Sequence, residues 1–520
     1  MQPALPLPAE AHLHVAQKCL PGRNRQFQEC TGRGKRRGVP FAIRIGRQRN
    51  LAAGDIADEV KAYIAAANFI GSPCFVQQTP PPLVISTDKA AGVYRAGETV
   101  HWTIRWKGST AAPSAAYSVK TGSLTPAGQG MLTFRNNVAA LDTPLPAPNT
   151  LLLEVDWQSD HGPVQTFGGA VASPEQIRPA APPPADFDRF WAAKVKGLEK
   201  VPVNSKLTAA ESQQPGVSYW RVSLDNIRGT HVQGQIARPS VGTKFPAILQ
   251  MQYAGVYGLQ KNWVTDYAKD GWLALNIEAH DIPISEPPLY YQQQEAGPLH
   301  YYWNFGDDNR DQSYYLRMYL SCWRAVEYLA HRPDWNGKVL VVTGQSQGGQ
   351  QGLMIAGLHP KYITAALVLV PAACDMLAPD AGRAPGFPGW YFNTSGKDPK
   401  KVRETSRYYD PINFARHIQC PVLIAMGLHD EKLAPPSSIL AAANVITAPK
   451  EVIIMPQSGH TPVGDSQAAY YTRMYGAWLP ALRQTGHAPI GPQAKTPHSK
   501  TDRSAEKHRN TKKYRSAEKS

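Results

Sequence analysis

Residues 339–349 read Val339-Leu340-Val341-Val342-Thr343-Gly344-Gln345-Ser346-Gln347-Gly348-Gly349. A continuous run of aliphatic residues is the mark of a strand buried on both faces, as in a parallel sheet covered by helices. It runs straight into Gly-x-Ser-x-Gly, and the residues beyond, with Leu353, Met354 and Ala356, continue as a helical segment. A sharp strand-to-helix turn needs small residues on either side, because a Cβ there would strike neighbouring backbone. The turn lifts the Ser346 hydroxyl above the sheet edge and aims the helix N-terminus at the carbon it attacks. The pentapeptide alone is a weak signal. A strand before it and a helix after it make it a nucleophile elbow rather than a Gly-rich structural turn.

Outward from this stretch, short apolar runs at 247–250, 273–277, 365–370, 422–426 and 452–455 alternate with helical segments. Further strands are expected at 217–224 and 234–238. One helix carries Tyr315, Tyr319, Cys322, Val326 and Leu329 along a stripe; another, capped by Asp186, carries Phe187, Phe190, Trp191, Val195 and Leu198. The pattern predicts an α/β class protein with the open, mostly parallel sheet of an α/β-hydrolase over 176–486. The Pro-rich stretch 178–184 reads as a stiff linker. Ahead of it the period changes to two: Val100, Trp102, Ile104 and Trp106 alternate with His101, Thr103 and Arg105, and Leu151, Leu153, Val155 and Trp157 alternate in the same way. Turn residues separate these runs, so 75–175 is expected to be a β-sandwich-like domain.

The chain has 520 residues and a net charge of +15. The charge is not spread evenly. Residues 1–50 hold ten Lys or Arg against two acids, and 495–520 hold nine against three, leaving the body nearly neutral. Residues 1–74, with a weak helical pattern at 57–67, are therefore read as a poorly ordered basic segment. Residues 487–520, where Arg503-Ser-Ala-Glu-Lys recurs from Arg515, are read as a disordered basic tail. Solvated ends, rather than a nucleic-acid partner, are the expectation; a binding role would show as affinity that collapses with salt. No run of about 18 apolar residues is present, so no membrane span is expected. Residues 1–30 show no apolar core behind a basic start, so no standard signal peptide is expected, and the compartment stays open. The six cysteines form no Cys-x-x-Cys pair, and Cys322, Cys374 and Cys420 sit in apolar stretches as buried thiols.

A serine hydroxyl needs a base, and the base needs an orienting acid. On this fold the partners follow the serine in the order acid, then histidine, each after a later strand. The run 421–426 leads to Gly427-Leu428-His429-Asp430, and the run 452–455 leads to Gly459-His460. Asp430 and His460 are therefore expected to complete a triad with Ser346. Glu431 is the rival acid and His429 the rival base. The oxyanion is expected to meet the amide of Gln347 and an amide of the loop after 247–250, Ala254 or alternatively Tyr253. The aromatic run Tyr290-Tyr291 and His300-Tyr301-Tyr302-Trp303 could supply either packing or a sugar-stacking wall. HExxH, P-loop and EF-hand patterns are absent, and this chemistry requires no cofactor or metal.

From about 176 to 485 the chain resembles the acetyl xylan esterase / cephalosporin C deacetylase family. The matching stretches are Pro184-Ala-Asp-Phe-Asp-Arg-Phe-Trp191, Arg324-Ala-Val-Glu-Tyr-Leu, Arg332-Pro-Asp-Trp, Gly344-Gln-Ser-Gln-Gly-Gly349, Pro371-Ala-Ala-Cys-Asp375, Gly427-Leu-His-Asp430 with Ala434-Pro-Pro-Ser437, and Gly459-His460. The resemblance implies a serine esterase that removes acetyl groups from small acetylated carbohydrates or similar O-acetyl esters, with Ser346, Asp430 and His460 as its triad. A peptidase or other acyl hydrolase of the same fold, and a non-catalytic carbohydrate-binding protein, are the alternatives. A homo-oligomer is compatible with the sequence. Two departures mark a divergent member. Glu278-Ala279-His280 stands where the family carries Arg-Gly-Gln, and Thr461 rather than Glu follows the histidine. The first removes a cation expected to organise the core beside the site. Residues 75–175 have no counterpart in the family core and are expected to pack and support.

Overall fold

The computed structural model describes residues 81–490. The basic segment 1–74, the helical pattern at 57–67, Cys19, Cys30 and Cys74, and the tail beyond residue 490 lie outside the described residues.

Strands β1 (Leu83–Thr87), β2 (Val93–Tyr94), β3 (Glu98–Trp106), β4 (Ala115–Thr121), β5 (Thr125–Met131), β6 (Val138–Leu145), β7 (Asn149–Ser159) and β8 (Gly162–Ala172) come first. They form a three-stranded sheet, β1-β3-β6, and a five-stranded sheet, β2-β8-β7-β4-β5. The period-two pattern decides which face is covered. Val100, Trp102 and Ile104 of β3 are buried, as are Leu151, Leu153 and Val155 of β7, and all belong to one core shared by both sheets. Trp106 and Trp157 meet edge-to-face across it with centroids 5.1 Å apart.

Strands β9 (Lys206–Ala210), β10 (Val217–Asp225), β11 (His231–Pro239), β12 (Phe245–Met251), β13 (Leu273–Ile277), β14 (Trp335–Gln345), β15 (Ala365–Leu369), β16 (Val422–Gly427) and β17 (Lys450–Met455) form one sheet in the order β17-β16-β15-β14-β12-β13-β11-β10-β9. From β13 to β17 every pair is parallel, and β9, β10 and β11 add an antiparallel edge. The parallel strands read as unbroken apolar runs because helices cover both faces; β13 and β15 are buried at every position. The helix Tyr314–Ala330 is buried over twelve of its seventeen residues, more than the single stripe read from the sequence, because it lies between the sheet and an aromatic layer containing Trp191, Trp390 and Tyr409.

Two local expectations change. Asp186 stands at the N-cap of the helix Phe187–Glu199, but its side chain does not cap it. Its carboxylate instead accepts from Arg310 at 2.9 Å and from the Tyr408 hydroxyl at 2.5 Å, stronger partners than a lone amide. The Pro-rich stretch is no free spacer either. The Arg178 carbonyl accepts from Arg383, the Ala180 amide donates to Asp375, and the Pro182 carbonyl accepts from Arg407.

The sandwich rests on the nine-stranded sheet's carboxyl end. Gly169 of β8 lies so close to Leu428 that a Cβ there would sit 2.4 Å from that residue's carbonyl oxygen. The β4–β5 turn donates and accepts through Thr125 and Gly122 to the segment around Gly382 and Ala384.

Candidate active site

Ser346 follows β14 and stands at the N-cap of the helix Gln347–Leu358, with φ 55° and ψ −122°. A serine at positive φ is strained, and the strain is held by backbone ties. Its amide donates to Leu369 O at 3.0 Å, and its carbonyl accepts from Gln350 N and Ala372 N. Glycine is required beside it by close approach. A Cβ on Gly344 would lie 2.4 Å from the Gly348 carbonyl group, and one on Gly348 would lie 2.6 Å from Met251 O, at the end of β12.

Three side chains far apart in sequence meet at this strand end. His460 Nε2 is 2.8 Å from Ser346 Oγ, and His460 Nδ1 is 2.6 Å from Asp430 Oδ2. Asp430 follows β16 and is 2% exposed. Its other oxygen, Oδ1, accepts from the amides of Leu433 at 3.1 Å and Ala434 at 2.9 Å. With both oxygens occupied, the carboxylate can receive Nδ1–H from the imidazole and leave Nε2 as acceptor for the serine proton. Neither rival takes part in this chain. Glu431 pairs with Lys432 at 2.8 Å. His429 turns its amide to Ser458 O, and burial pushes its imidazole down to about 4.

The loop after β12 lies against the start of the serine's helix, where Gln351 Nε2 donates to Gln252 O at 3.2 Å. Gln347 is the first residue of that helix, so its amide has no partner within the helix. The Tyr257 hydroxyl donates to Tyr253 O at 3.0 Å, which orients the peptide unit whose other end is the Ala254 amide. Gln252 is itself held, accepting from Ala279 N at 2.8 Å and donating to Tyr257 O at 3.0 Å and to Glu278 at 3.3 Å.

Beneath this loop lies a layer the sequence reading did not assemble. His280 Nε2 is 3.0 Å from Gly255 O, and its Nδ1 is 2.7 Å from the Tyr314 hydroxyl. The Tyr302 hydroxyl donates to Gln347 Oε1 at 2.7 Å and lies 3.4 Å from Gly255 N. Arg317 donates to Ala279 O and, at 3.2 Å, to the Tyr314 hydroxyl. A cation is therefore present beside Glu278-Ala279-His280, brought by a helix rather than by the strand-end motif. Burial pushes the Glu278 carboxyl well above its ordinary range, against the Gln252 hydrogen bond and the Arg317 charge that lower it. The only signals in the sequence were the unusual Glu278-Ala279-His280 and the aromatic run. In that run Tyr291 and Tyr302 are buried with their hydroxyls hydrogen-bonded, Tyr291 to Pro283 O and Tyr302 to Gln347, while Tyr301 stays half exposed and Trp303 packs partly buried against Phe387. Among the described residues no cluster of three or more His, Cys, Asp or Glu is placed to hold a metal ion, and no helix is long and apolar enough to cross a membrane. Cys322, Cys374 and Cys420 are buried free thiols.

Comparison with known proteins adds three findings. Residues 172–475 match the family model described as acetyl xylan esterase (AXE1). The chain is 32% identical over 374 residues to "Acetyl esterase Axe7A" of Xylanibacter ruminicola, an alignment covering 70% of this chain and 82% of that protein. Among solved structures it is similar to the acetyl xylan esterase of Paenibacillus sp. R4 (23% identity, TM-score 0.48) and to acetyl xylan esterase 1 of Thermoanaerobacterium sp. JW/SL YS485 (20% identity, TM-score 0.47). Each alignment covers 58% of this chain and 98% of the other.

Proposed function

The chain belongs to the acetyl xylan esterase family and is a serine carboxylic-ester hydrolase; from this we propose that it removes acetyl groups from small acetylated carbohydrates or similar O-acetyl esters, using Ser346, His460 and Asp430. Ser346 Oγ attacks the acetyl carbonyl carbon while His460 Nε2 takes its proton. Asp430 holds the imidazole tautomer and stabilises the imidazolium that forms. The negative charge on the carbonyl oxygen is met by the amides of Gln347 and Ala254, with Tyr253 as the alternative donor in the same loop. His460 then returns its proton to the departing sugar oxygen, leaving an acetyl ester on Ser346. A water molecule deprotonated by His460 attacks that ester, and as acetate leaves His460 returns the proton to Ser346 Oγ. We assign residues 176–486 as the catalytic domain and the sandwich as its support, an assignment favoured by the packing of Gly169 on Leu428, two residues before Asp430.

The observation that carries the reading is the unbroken chain from Ser346 Oγ through both His460 nitrogens to a carboxylate whose second oxygen is already committed. Replacing Ser346 with Ala should abolish turnover of p-nitrophenyl acetate and labelling by a fluorophosphonate probe; wild-type turnover in that variant would overturn it. A panel of acetylated xylo-oligosaccharides, longer-chain esters and peptides then fixes the acyl and leaving groups.

A further inference from the structure

We infer that His280 and Tyr302 are positioning residues that lock the two halves of the oxyanion hole to each other, Tyr302 by bridging Gly255 to Gln347 and His280 by holding the Gly255 carbonyl. The inference rests on the assignment of Gln347 and the 253–255 loop as the oxyanion-binding elements.

Both polar backbone groups of Gly255 are engaged, its amide by the Tyr302 hydroxyl and its carbonyl by His280 Nε2. Gly255 has a φ of +123°, a conformation that L side chains rarely adopt, so this loop does not hold its shape by intrinsic preference. Tyr257 fixes the peptide unit before Ala254, and Tyr302 fixes the one after it. The other half of the hole begins at Gln347, whose side chain accepts from the same Tyr302 hydroxyl. One hydroxyl thus touches both elements that must present an amide to one oxygen.

The direction of every proton follows from the partners. Gly255 O can only accept, so Nε2 of His280 carries the hydrogen and Nδ1 accepts from Tyr314. The Tyr314 hydroxyl in turn accepts from Arg317. A neutral imidazole satisfies both contacts, and burial keeps it so, pushing its pKa down to about 4. His280 and Tyr302 are both fully buried, their rings meeting edge-to-face with centroids 4.5 Å apart, so His280 also buttresses the tyrosine. Neither residue contacts Ser346, His460 or Asp430 in a hydrogen bond, so their effect passes through the donors they position.

The test uses the full chain with p-nitrophenyl acetate, and phenylboronic acid as a probe that forms a tetrahedral adduct on an active serine. Tyr302→Phe removes one oxygen and keeps the ring. It should lower kcat by about 10- to 100-fold, leave KM within about twofold, and weaken phenylboronic acid in parallel with kcat. His280→Phe should do the same. His280→Gln, which can still donate to Gly255 O and accept from Tyr314, should return kcat to within about threefold of wild type, a rescue that loss of packing would not give. Wild-type kcat in Tyr302→Phe overturns the inference, as does a rise in KM with kcat unchanged, or His280→Gln as impaired as His280→Phe. If His280→Phe fails to fold, Tyr302→Phe decides alone. Ser346→Ala separates the two levels. An active Ser346→Ala removes the site reading and this inference with it, whereas an inactive Ser346→Ala beside a fully active Tyr302→Phe removes the inference alone.

Discussion

Replacing Asp430 with Asn tests the triad by tautomer rather than by deletion. The native Oδ1 accepts two backbone amides, from Leu433 and Ala434. In the variant those amides can be met only by the asparagine oxygen, so the NH2 group must occupy the place of Oδ2, 2.6 Å from His460 Nδ1. It then donates to Nδ1, and the imidazole hydrogen moves to Nε2. That nitrogen faces Ser346 Oγ at 2.8 Å and now offers a hydrogen where it must accept one. The loss combines the wrong tautomer with an unstabilised imidazolium and should be about 10³- to 10⁴-fold in kcat, or about 4 to 5.5 kcal/mol of barrier. The substitution is nearly isosteric and leaves Oδ1 satisfied, so the folded state survives. Steady-state hydrolysis of p-nitrophenyl acetate measures the effect, with thermal unfolding as control. A folded Asp430→Asn enzyme within tenfold of wild type would refute the assigned orientation of the acid, and with it the reading of His460 as base.

Further outcomes follow from the same contacts. Burial raises the Glu278 carboxyl, so its contribution to stability is present below the unfolded carboxyl's pKa of about 4.3 and is lost as pH rises towards the higher folded value. Glu278→Gln has no such loss; its melting temperature minus that of wild type should grow from pH 5 to pH 9, and a constant or shrinking gap contradicts this. A Cβ on Gly169 meets Leu428 backbone at 2.4 Å, so Gly169→Ala should destabilise by about 1–3 kcal/mol in urea unfolding. It should also lower kcat, since Leu428 leads into the acid loop; unchanged stability would show that the sandwich can shift freely. Gly344→Ala places a methyl 2.4 Å from the Gly348 carbonyl group and should cost at least about tenfold in kcat through the displaced serine, or fail to fold; a fully active variant would deny that the turn is tight.

The sheet was legible wherever burial was two-sided or strictly alternating. The apolar run ending at Thr343, the run 422–426 and the Val100–Trp106 alternation each appear as strands, because exclusion from water leaves a periodic trace in the chain. Strands β9 and β5 left no such trace. Lys206–Ala210 is exposed at every position and Thr125–Met131 at all but one, so backbone pairing alone makes them strands. The three side chains gathered at Ser346 could be anticipated, because each follows a short apolar run, at 339–342, 422–426 and 452–455. The layer beneath them could not. His280, Tyr302, Tyr314 and Arg317 come from a strand-end loop, an aromatic insert and a helix, and nothing local distinguishes a tyrosine whose hydroxyl bridges a loop to a helix start from one that only packs. Asp186 illustrates the reverse case: its position suggested a cap, and two distant side chains claimed the carboxylate instead.

The tether between sandwich and nine-stranded sheet is stitched down at Arg178, Ala180 and Pro182. A connector fastened at three points along its length favours a fixed seat over a free swing, because any swing of the sandwich must first break those contacts. Sugar and acetate would then come and go while the sandwich keeps its seat.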